Sequence, residues 1–394
     1  MDKYPFQFNK YLYFKFILVL LIIVFTILEM EEAVSKCFML TFLVLLILLF
    51  KVLIHFAFPK DEQIDLLLLL SIIMFSFILI TRNSDQFTFE YYTKFIMFSN
   101  TLVYLFVIAK IPFNEKNVKF IFVVNFVIVY IYILFYFTEP AVYNINEILT
   151  FHFSNSNLTG LWLLQSALYM FLSSYYFKKK FIKLLALFAC GFMIFFIFES
   201  ETRSCIIALS LFYMFSLYFT FRKNKKINSF TLIFILLLPL IIVFIYFYLV
   251  KSGHISIFQF AESEGKPLTS RYKIWQYAFA WIKESPFLGS YYGISIGRGG
   301  YHMHNTHLDI IASYGIPIFI LTIIYLYRIL RKINKLCKTR FQRMSELAFF
   351  TIIIMGFGES ALFSGSMGMH ILSCSFLYLA RCDECKNNSK KLKE

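Results

Sequence analysis

Three histidines within six positions are the residues of this chain whose chemistry is easiest to name. His302, His304 and His307 lie in the segment 301–307, which reads YHMHNTH. Imidazole is the side chain best able to take up a proton near neutral pH. His304 is the leading candidate for a general base, because it directly precedes Asn305 at the expected start of a helix.

Structural explanations account for some of the neighbouring polar residues. Asn305 or Thr306 can cap a helix that runs from Leu308 onward, and Asp309 in its first turn is explained by the helix dipole. A metal site built from the histidines is not favoured. On one helix only residues three or four apart face the same way, and no cysteine or second carboxylate lies nearby in sequence to complete a ligand set.

Two arginines are candidates for binding an anion. A guanidinium group offers several fixed donors to phosphate oxygens, which makes Arg203 and Arg271 a plausible phosphate clamp. The alternative for Arg203 is a salt bridge with Glu199 or Glu201, and the alternative for Arg271 is contact with a lipid headgroup. Glu359, in an otherwise apolar stretch, can pair with either arginine.

The rest of the chain is unusually apolar. Of 394 residues, 59% are hydrophobic, 21% are aromatic and only 15% are charged, and the mean hydropathy is +0.70. No soluble domain has this composition. A helix needs about 20 mainly apolar residues to span a bilayer, and roughly twelve such runs are present. The sequence therefore predicts an all-α integral membrane protein with about 12 transmembrane helices, forming a single polytopic domain over residues 1–394.

The predicted helices are separated by short, often basic connectors. They are Tyr11–Leu28, Cys37–Phe56, Ile64–Thr81, Lys94–Lys110, Val118–Phe137, Leu158–Phe177, Phe181–Phe198, Ser204–Phe221, Ser229–Val250, His307–Arg328, Ser345–Ser360 and Phe363–Ala380. The first apolar run is followed by Glu29-Met30-Glu31-Glu32 rather than by a small-residue cleavage site, so it is expected to remain as a helix.

The net charge of +15 is distributed in a way that reports topology. With a cytoplasmic N-terminus, about 28 of the 38 lysines and arginines fall in connectors on the inside, and the segment from Arg328 to Arg343 alone holds seven. The positive-inside rule then places both termini in the cytoplasm and the loop 251–306 outside. The charge is thus a topology signal rather than a nucleic-acid footprint.

The seven cysteines are scattered, and none lies in the loop 251–306. No extracytoplasmic disulfide framework is therefore implied. Cys382 and Cys385 form one CxxC pair in the predicted cytoplasmic tail, which without further ligands is weak evidence for zinc.

The long loop is predicted to contain an amphipathic helix from Ser270 to Lys283, capped by Ser270 and followed by Pro286. Its apolar face is formed by Ile274, Ala278, Trp281 and Ile282. Trp275 and Trp281 suit a helix that rests at the membrane surface. The segment 289–300 holds five of the 14 glycines, matches no phosphate-loop pattern and is interpreted as a mobile flap.

Four separated stretches resemble, in the same order, motifs of the O-antigen ligase and polysaccharide polymerase superfamily of bacterial inner-membrane glycosyltransferases. HMHNTHLDIIASYGIP, at 302–317, is similar to the family's His-Asn motif followed by a Gly-x-Pro break. TSRYKIWQYAFAWIKESPFLG, at 269–289, resembles its loop helix, although Phe287 interrupts the usual Pro-Leu-Gly ending. ETRSCIIALS, at 201–210, and FSNSNLTG, at 153–160, resemble the two others, with Ser156 in place of a proline.

The resemblance implies a metal-independent glycosyl transfer that needs no cofactor. The donor would be an oligosaccharide on undecaprenyl diphosphate, and the acceptor a sugar hydroxyl of another glycan. His304 would act as the general base, and Arg203 and Arg271 would bind the diphosphate leaving group. The residues expected to contact substrate less directly are His302, Asn305, Lys273, Arg298 and Asn155. The expected partners are the lipid bilayer, the two glycans and a chain-length regulator.

Three functions remain to be distinguished. An O-antigen or capsule polymerase transfers the glycan to another lipid-linked repeat unit, and the segment 153–160 favours this activity. A ligase transfers the glycan to the lipid A-core, and the HMHN motif also resembles ligases. A flippase for lipid-linked oligosaccharide is less favoured, because a transporter is expected to place charges along a central path, whereas the candidate residues are confined to the outer end.

Overall fold

The computed structural model describes residues 60–81, 89–110, 115–139, 143, 148–151, 156–221, 226–252, 269–289, 303–359, 362–363 and 367–381. Within these ranges the fold consists of eleven α-helices, with one isolated bridge between Tyr143 and Leu149. The helices are α1 (Lys60–Thr81), α2 (Phe89–Lys110), α3 (Glu115–Thr138), α4 (Ser156–Tyr176), α5 (Lys180–Glu199), α6 (Arg203–Phe221), α7 (Ser229–Lys251), α8 (Thr269–Glu284), α9 (Thr306–Leu336), α10 (Arg340–Met355) and α11 (Met367–Ala380).

The all-helical fold class is confirmed for the described part of the chain, where most of the predicted helices lie close to their expected positions. Five helices, α3, α5, α6, α7 and α9, are long and apolar enough to cross a membrane. Two predicted helices, Tyr11–Leu28 and Cys37–Phe56, lie outside the described residues. The total of about 12 spanning helices therefore stays a prediction.

Two predicted helices have boundaries that the structure corrects. The helix expected at His307–Arg328 continues to Leu336, because its basic residues are not all in a solvated connector. Arg328 donates to Asp65 at 2.6 Å, and Lys332 contacts the other oxygen of this carboxylate, which is only 2% exposed. A buried carboxylate needs such partners, so the charges pack α1 against α9.

The helix expected at Ser345–Ser360 is α10, which begins and ends about five residues earlier. Its start is fixed by a capping box in which Thr339 and Gln342 satisfy each other's backbone N–H groups. The shift moves Glu359 out of the helix and into the turn that follows it. It also moves Arg343, which was expected in a cytoplasmic connector, into the protein interior, where it pairs with Glu346.

Helices α4 and α10 form the centre of the bundle. Every described side chain of α10 from Gln342 to Met355 is buried, and α4 is buried almost continuously from Thr159 to Met170. Helices that are apolar and buried all round belong to a core. The outer helices instead expose large apolar side chains such as Met74, Phe181 and Phe230, as expected for surfaces that contact hydrocarbon.

Polar contacts within this apolar core fix how α4 and α11 pack together. Gln165 donates to the Ser373 hydroxyl at 2.8 Å, and the Tyr169 hydroxyl donates to the carbonyl of Leu372 at 2.6 Å. Polar groups that are buried together must find partners, so they favour one register of two otherwise featureless helices.

The loop helix α8 is fastened to α9 through two glycines with positive φ. The backbone of α9 breaks at Gly315, which has φ 85° and ψ 167°, and the N–H of Ile316 donates to the carbonyl of Pro286 at 2.8 Å. A Cβ at Gly315 would lie 2.3 Å from the Phe287 carbonyl oxygen, and a Cβ at Gly289 would lie 2.6 Å from the backbone of Ser313. The Pro-Phe-Leu-Gly ending of the loop helix therefore fits directly onto the Gly-x-Pro break.

Replacing Gly315 by alanine is expected to destabilise the protein by about 1–3 kcal/mol, because the new Cβ meets backbone at a left-handed position. Thermal unfolding of the purified protein measures the change. Gly191→Ala is the matched control: a Cβ there meets nothing within 4 Å, so this helical glycine should become neutral or slightly more stable. Equal melting temperatures for the two variants would contradict the contact.

Candidate active site

The described parts of the four motif stretches, which are separated in sequence, meet at one end of the bundle. The starts of α4, α6 and α9 lie there, together with the turn after α10. The Thr202 hydroxyl donates to the carbonyl of Ser156 at 2.8 Å, and a Cβ at Gly160 would lie 2.5 Å from Thr202. The start of α4 is thus packed against the turn that leads into Arg203.

Asn305 fixes the start of α9. Its side-chain oxygen accepts from the N–H groups of His307 at 3.0 Å and Leu308 at 2.9 Å, so the capping prediction is confirmed. Its amide nitrogen donates to the carbonyls of Pro239 at 3.2 Å and Phe357 at 3.3 Å. One fully buried side chain therefore joins α7, α9 and the turn after α10.

His304 is held in a specific orientation immediately before this cap. Its Nδ1 lies 2.9 Å from Oε2 of Glu359, whose side chain is 8% exposed, while the His304 side chain remains 21% exposed. Because a carboxylate only accepts, we assign the hydrogen to Nδ1, so that in the neutral ring Nε2 carries the lone pair. An Nε2 lone pair on a partly exposed imidazole is the arrangement that a general base requires.

The backbone of His304 is strained. Its φ is +48°, in the left-handed region that residues other than glycine rarely adopt. Such a conformation costs on the order of 1–3 kcal/mol and persists only where the surroundings impose it. Here the Glu359 contact and the Asn305 cap impose it from either side.

Arg271 of α8 reaches the same turn. Its Nη1 atom lies 3.3 Å from the position that a Cβ would occupy at Gly358, and Ser204 borders the same position at 2.7 Å. Burial lowers the pKa of Arg271, whereas the negative charge of Glu359 raises it and the positive charge of Arg203 lowers it further. Two guanidinium groups are therefore close enough to repel each other beside one carboxylate.

The positive charge of this cluster favours an anion. Arg203 is exposed at the first position of α6, where the positive end of the helix dipole adds to its charge. A partly desolvated guanidinium such as Arg271 gains more from a bound anion than a fully hydrated one does. The arrangement is thus suited to a phosphate or diphosphate between α6 and α8.

One wall of the site is formed by α7 and α8. Trp275 is 3% exposed and donates from its indole N–H to the carbonyl of Met303 at 2.9 Å, which ties α8 to the residue preceding His304. Ile274 and Ala278 pack with Val243 of α7, as the predicted apolar face required. The prediction that Trp275 anchors the helix in the lipid interface is wrong, because its side chain is inside the protein.

The remaining predicted residues fall into two groups. His302, Arg298 and Asn155 lie outside the described residues, as does the flap apart from Gly289, and the side chain of Lys273 is not among those described. His307 is buried, with Nε2 2.6 Å from the carbonyl oxygen of Leu236, and contributes to packing between α9 and α7. Within the described part of the chain no three His, Cys, Asp or Glu residues are grouped so as to hold a metal ion.

Sequence reasoning missed the contact between His304 and Glu359. It left Glu359 as a partner of either arginine, placed it inside a helix and did not pair it with histidine. The signal that would have found it was Gly356, the C-cap at which α10 ends, because it leaves Glu359 in a turn whose Gly356 carbonyl accepts from the N–H of Thr306 in α9.

The described part of the chain is thus a bundle of helices, several of which are suited to cross a membrane, with a histidine–carboxylate pair and two arginines at one end. In a comparison with known families, residues 185–323 match a family model described as O-antigen ligase. The match covers most of α5, then α6, α7 and α8, and the first part of α9, and it includes Arg203, Arg271 and His304. It confirms the resemblance to the O-antigen ligase and polymerase superfamily. A comparison with curated proteins finds no match to the chain.

Proposed function

We propose that this protein is a polysaccharide polymerase of the cytoplasmic membrane. It transfers a glycan from undecaprenyl diphosphate to a hydroxyl of another lipid-linked repeat unit, at the outer face. The observation that carries the proposal is the meeting of the His304–Glu359 pair with Arg271 at the start of α6. A base and an anion site side by side are what glycosyl transfer from a diphosphate requires.

His304 is the catalytic base of the proposed reaction. Its Nε2 takes the proton of the acceptor hydroxyl as the oxygen forms a bond to the anomeric carbon. Glu359 is a positioning residue: it holds the hydrogen on Nδ1 and stabilises the imidazolium that forms. This step gives an acceptor glycan that carries the new glycosidic bond, and it leaves His304 protonated.

Arg203 and Arg271 act on the leaving group. The bond from the anomeric carbon to the diphosphate oxygen breaks, and its electron pair leaves with the diphosphate. The negative charge on this oxygen grows in the transition state, and guanidinium groups already in place stabilise it without reorganisation. Catalysis by this route is expected to survive a chelator, and a loss of activity that added divalent metal restores would contradict it.

A polymerase and a ligase differ in the acceptor that they use. Ligase is the second candidate function, and the match to a family described as O-antigen ligase supports it. Purified protein supplied with the lipid-linked repeat unit alone should produce a ladder of longer chains. Product that appears only after a lipid A-core acceptor is added would identify a ligase. Transfer to neither acceptor, with movement of the intact lipid-linked unit across vesicles, would instead identify a flippase.

A further inference from the structure

A groove lies at the end of the bundle away from the candidate active site. It is a cavity of about 350 Å³ between α6, α7 and α10, which falls in the range of about 300–1,000 Å³ typical of ligand pockets. Its walls are mainly apolar, with side chains between Phe212 and Phe219 of α6 facing others between Leu347 and Ile354 of α10. Each of these two walls spans seven residue steps, which is about 10 Å.

The groove is remote from the arginines. Phe212 lies nine positions after Arg203 in α6, so on this helix the groove begins about 13 Å from Arg203 and extends away from it. The hydrocarbon of a bilayer is about 30 Å thick. On α10 the lining reaches Ile354, next to the end of this helix, whereas Lys226 and Asn228 line the other end of the groove. In a spanning bundle the groove therefore runs from the interior of the bundle into the leaflet opposite the candidate active site.

Polar and cationic residues stand at the far mouth of the groove. The lining includes Lys226, which is exposed, and Asn228, which caps α7 by accepting from Thr231 at 2.7 Å. The intervening Ile227 is pinned to α9, because Asn334 accepts from its N–H at 3.2 Å and donates to its carbonyl at 2.6 Å. Lys226 is thus held at the positive end of the α7 dipole.

We propose that this groove binds one acyl chain of an anionic phospholipid from the leaflet opposite the candidate active site, with the headgroup phosphate on Lys226. The apolar walls suit one acyl chain, and the lysine at the mouth suits the negatively charged phosphate above it. The lipid-linked donor would bind in the opposite orientation, because its diphosphate belongs beside the arginines at the other end of the bundle. The inference does not depend on which reaction the protein catalyses.

The bound lipid would stabilise the helices that form the candidate active site. The groove is bordered by α6, which begins with Arg203, by α7, whose Pro239 accepts from Asn305, and by α10, which leads into Glu359. A ligand that binds only the folded bundle stabilises it, by an amount that grows with the logarithm of the free ligand concentration above Kd. A lipid bound from the opposite leaflet would therefore stabilise the arrangement of the candidate active-site residues.

The test measures thermal unfolding of the full-length protein in nanodiscs of phosphatidylglycerol or of phosphatidylcholine with the same acyl chains. Phosphatidylglycerol is expected to raise Tm by about 5 °C over phosphatidylcholine in the unmodified protein. Lys226→Ala should lose at least half of this shift. Lys180→Ala is the matched control, since it removes an exposed lysine from the start of α5 at the same end of the bundle.

A second pair of variants tests the groove itself. Thr351 lines the groove, and its hydroxyl donates to the carbonyl of Leu347 in its own helix. Thr351→Phe fills the space and should abolish the shift, whereas Thr351→Val should retain it. Should Thr351→Phe fail to fold, the number of phosphatidylglycerol molecules retained by unmodified protein and by Lys226→Ala in native mass spectrometry decides the matter.

Three results would overturn the proposal. The first is that Tm is equal in the two lipids. The second is that Lys226→Ala and Lys180→Ala reduce the phosphatidylglycerol shift in Tm equally. The third is that Thr351→Phe keeps the phosphatidylglycerol shift in Tm but removes the shift caused by an isoprenoid diphosphate. The last result would assign the groove to the chain of the donor.

Discussion

Replacing His304 by alanine is expected to lower kcat by about 10²–10⁴-fold, because the acceptor hydroxyl loses the group that takes its proton. Glycan transfer by purified protein, assayed with lipid-linked repeat units, measures the loss. KM for the donor should change little, since the arginines and not His304 bind the diphosphate in the proposed mechanism.

Glu359→Gln separates positioning from catalysis. Glutamine keeps the shape of the side chain and still accepts from Nδ1, but it cannot stabilise the imidazolium. Its kcat should therefore fall, but less than in His304→Ala, while KM for the donor should stay unchanged. An unchanged kcat in Glu359→Gln would show that the carboxylate only packs against the ring.

Asp309→Asn is the matched control for both variants. Asp309 lies in the first turn of α9, where its carboxylate is explained by the helix dipole, so this variant should retain nearly full activity. In cells, His304→Ala should leave delivery of lipid-linked repeat units to the outer face intact. Blocked delivery would favour a flippase instead.

The positions of most helices followed from the sequence because hydrocarbon imposes a simple requirement. A run of about 20 apolar residues must satisfy its backbone internally, and only a helix does so within one segment. The errors occurred where charged residues broke this pattern. Arg328, Lys332 and Arg343 marked connectors by composition, yet Asp65 and Glu346 pair with them and allow α9 and α10 to include them.

The candidate site followed from sequence as a set of residues but not as a geometry. His304, Arg203 and Arg271 were selected by chemical type and motif, and the structure places Arg271 near Arg203 and near the carboxylate that holds His304. The contact between His304 and Glu359 joins positions 55 residues apart. No local pattern encodes such a pair, since it depends on where α10 ends and on the bond from Thr306 to Gly356.

The same limitation applies to the loop helix. Its amphipathic pattern was read correctly, but an apolar face does not say whether it meets lipid or protein. In the folded state the loop helix meets protein at this end. Gly289 and Gly315 have no Cβ atoms, and this permits backbone-to-backbone contact between the loop and α9. Arg271 is thereby held by a fixed element rather than by a free loop.

Replacing Arg271 by alanine is expected to lower kcat/KM by about 10²–10³-fold, because a preorganised donor to the departing diphosphate is lost. Arg271→Lys restores the charge without the planar fork and should recover only part of the activity. Arg203→Ala should cause a loss of the same order. Competition by inorganic diphosphate gives a readout besides turnover: its inhibition should weaken in the alanine variants.

Arg340→Ala is the matched control for the loss of an arginine. Arg340 begins α10 at the opposite end of the bundle, where its guanidinium lies over the ring of Tyr175, and removing it should change Tm only slightly and leave diphosphate inhibition intact. Full activity in a well-folded Arg271→Ala protein would exclude the clamp. Equal weakening of diphosphate inhibition in Arg340→Ala would mean that general surface charge, rather than the two arginines beside Glu359, attracts the anion.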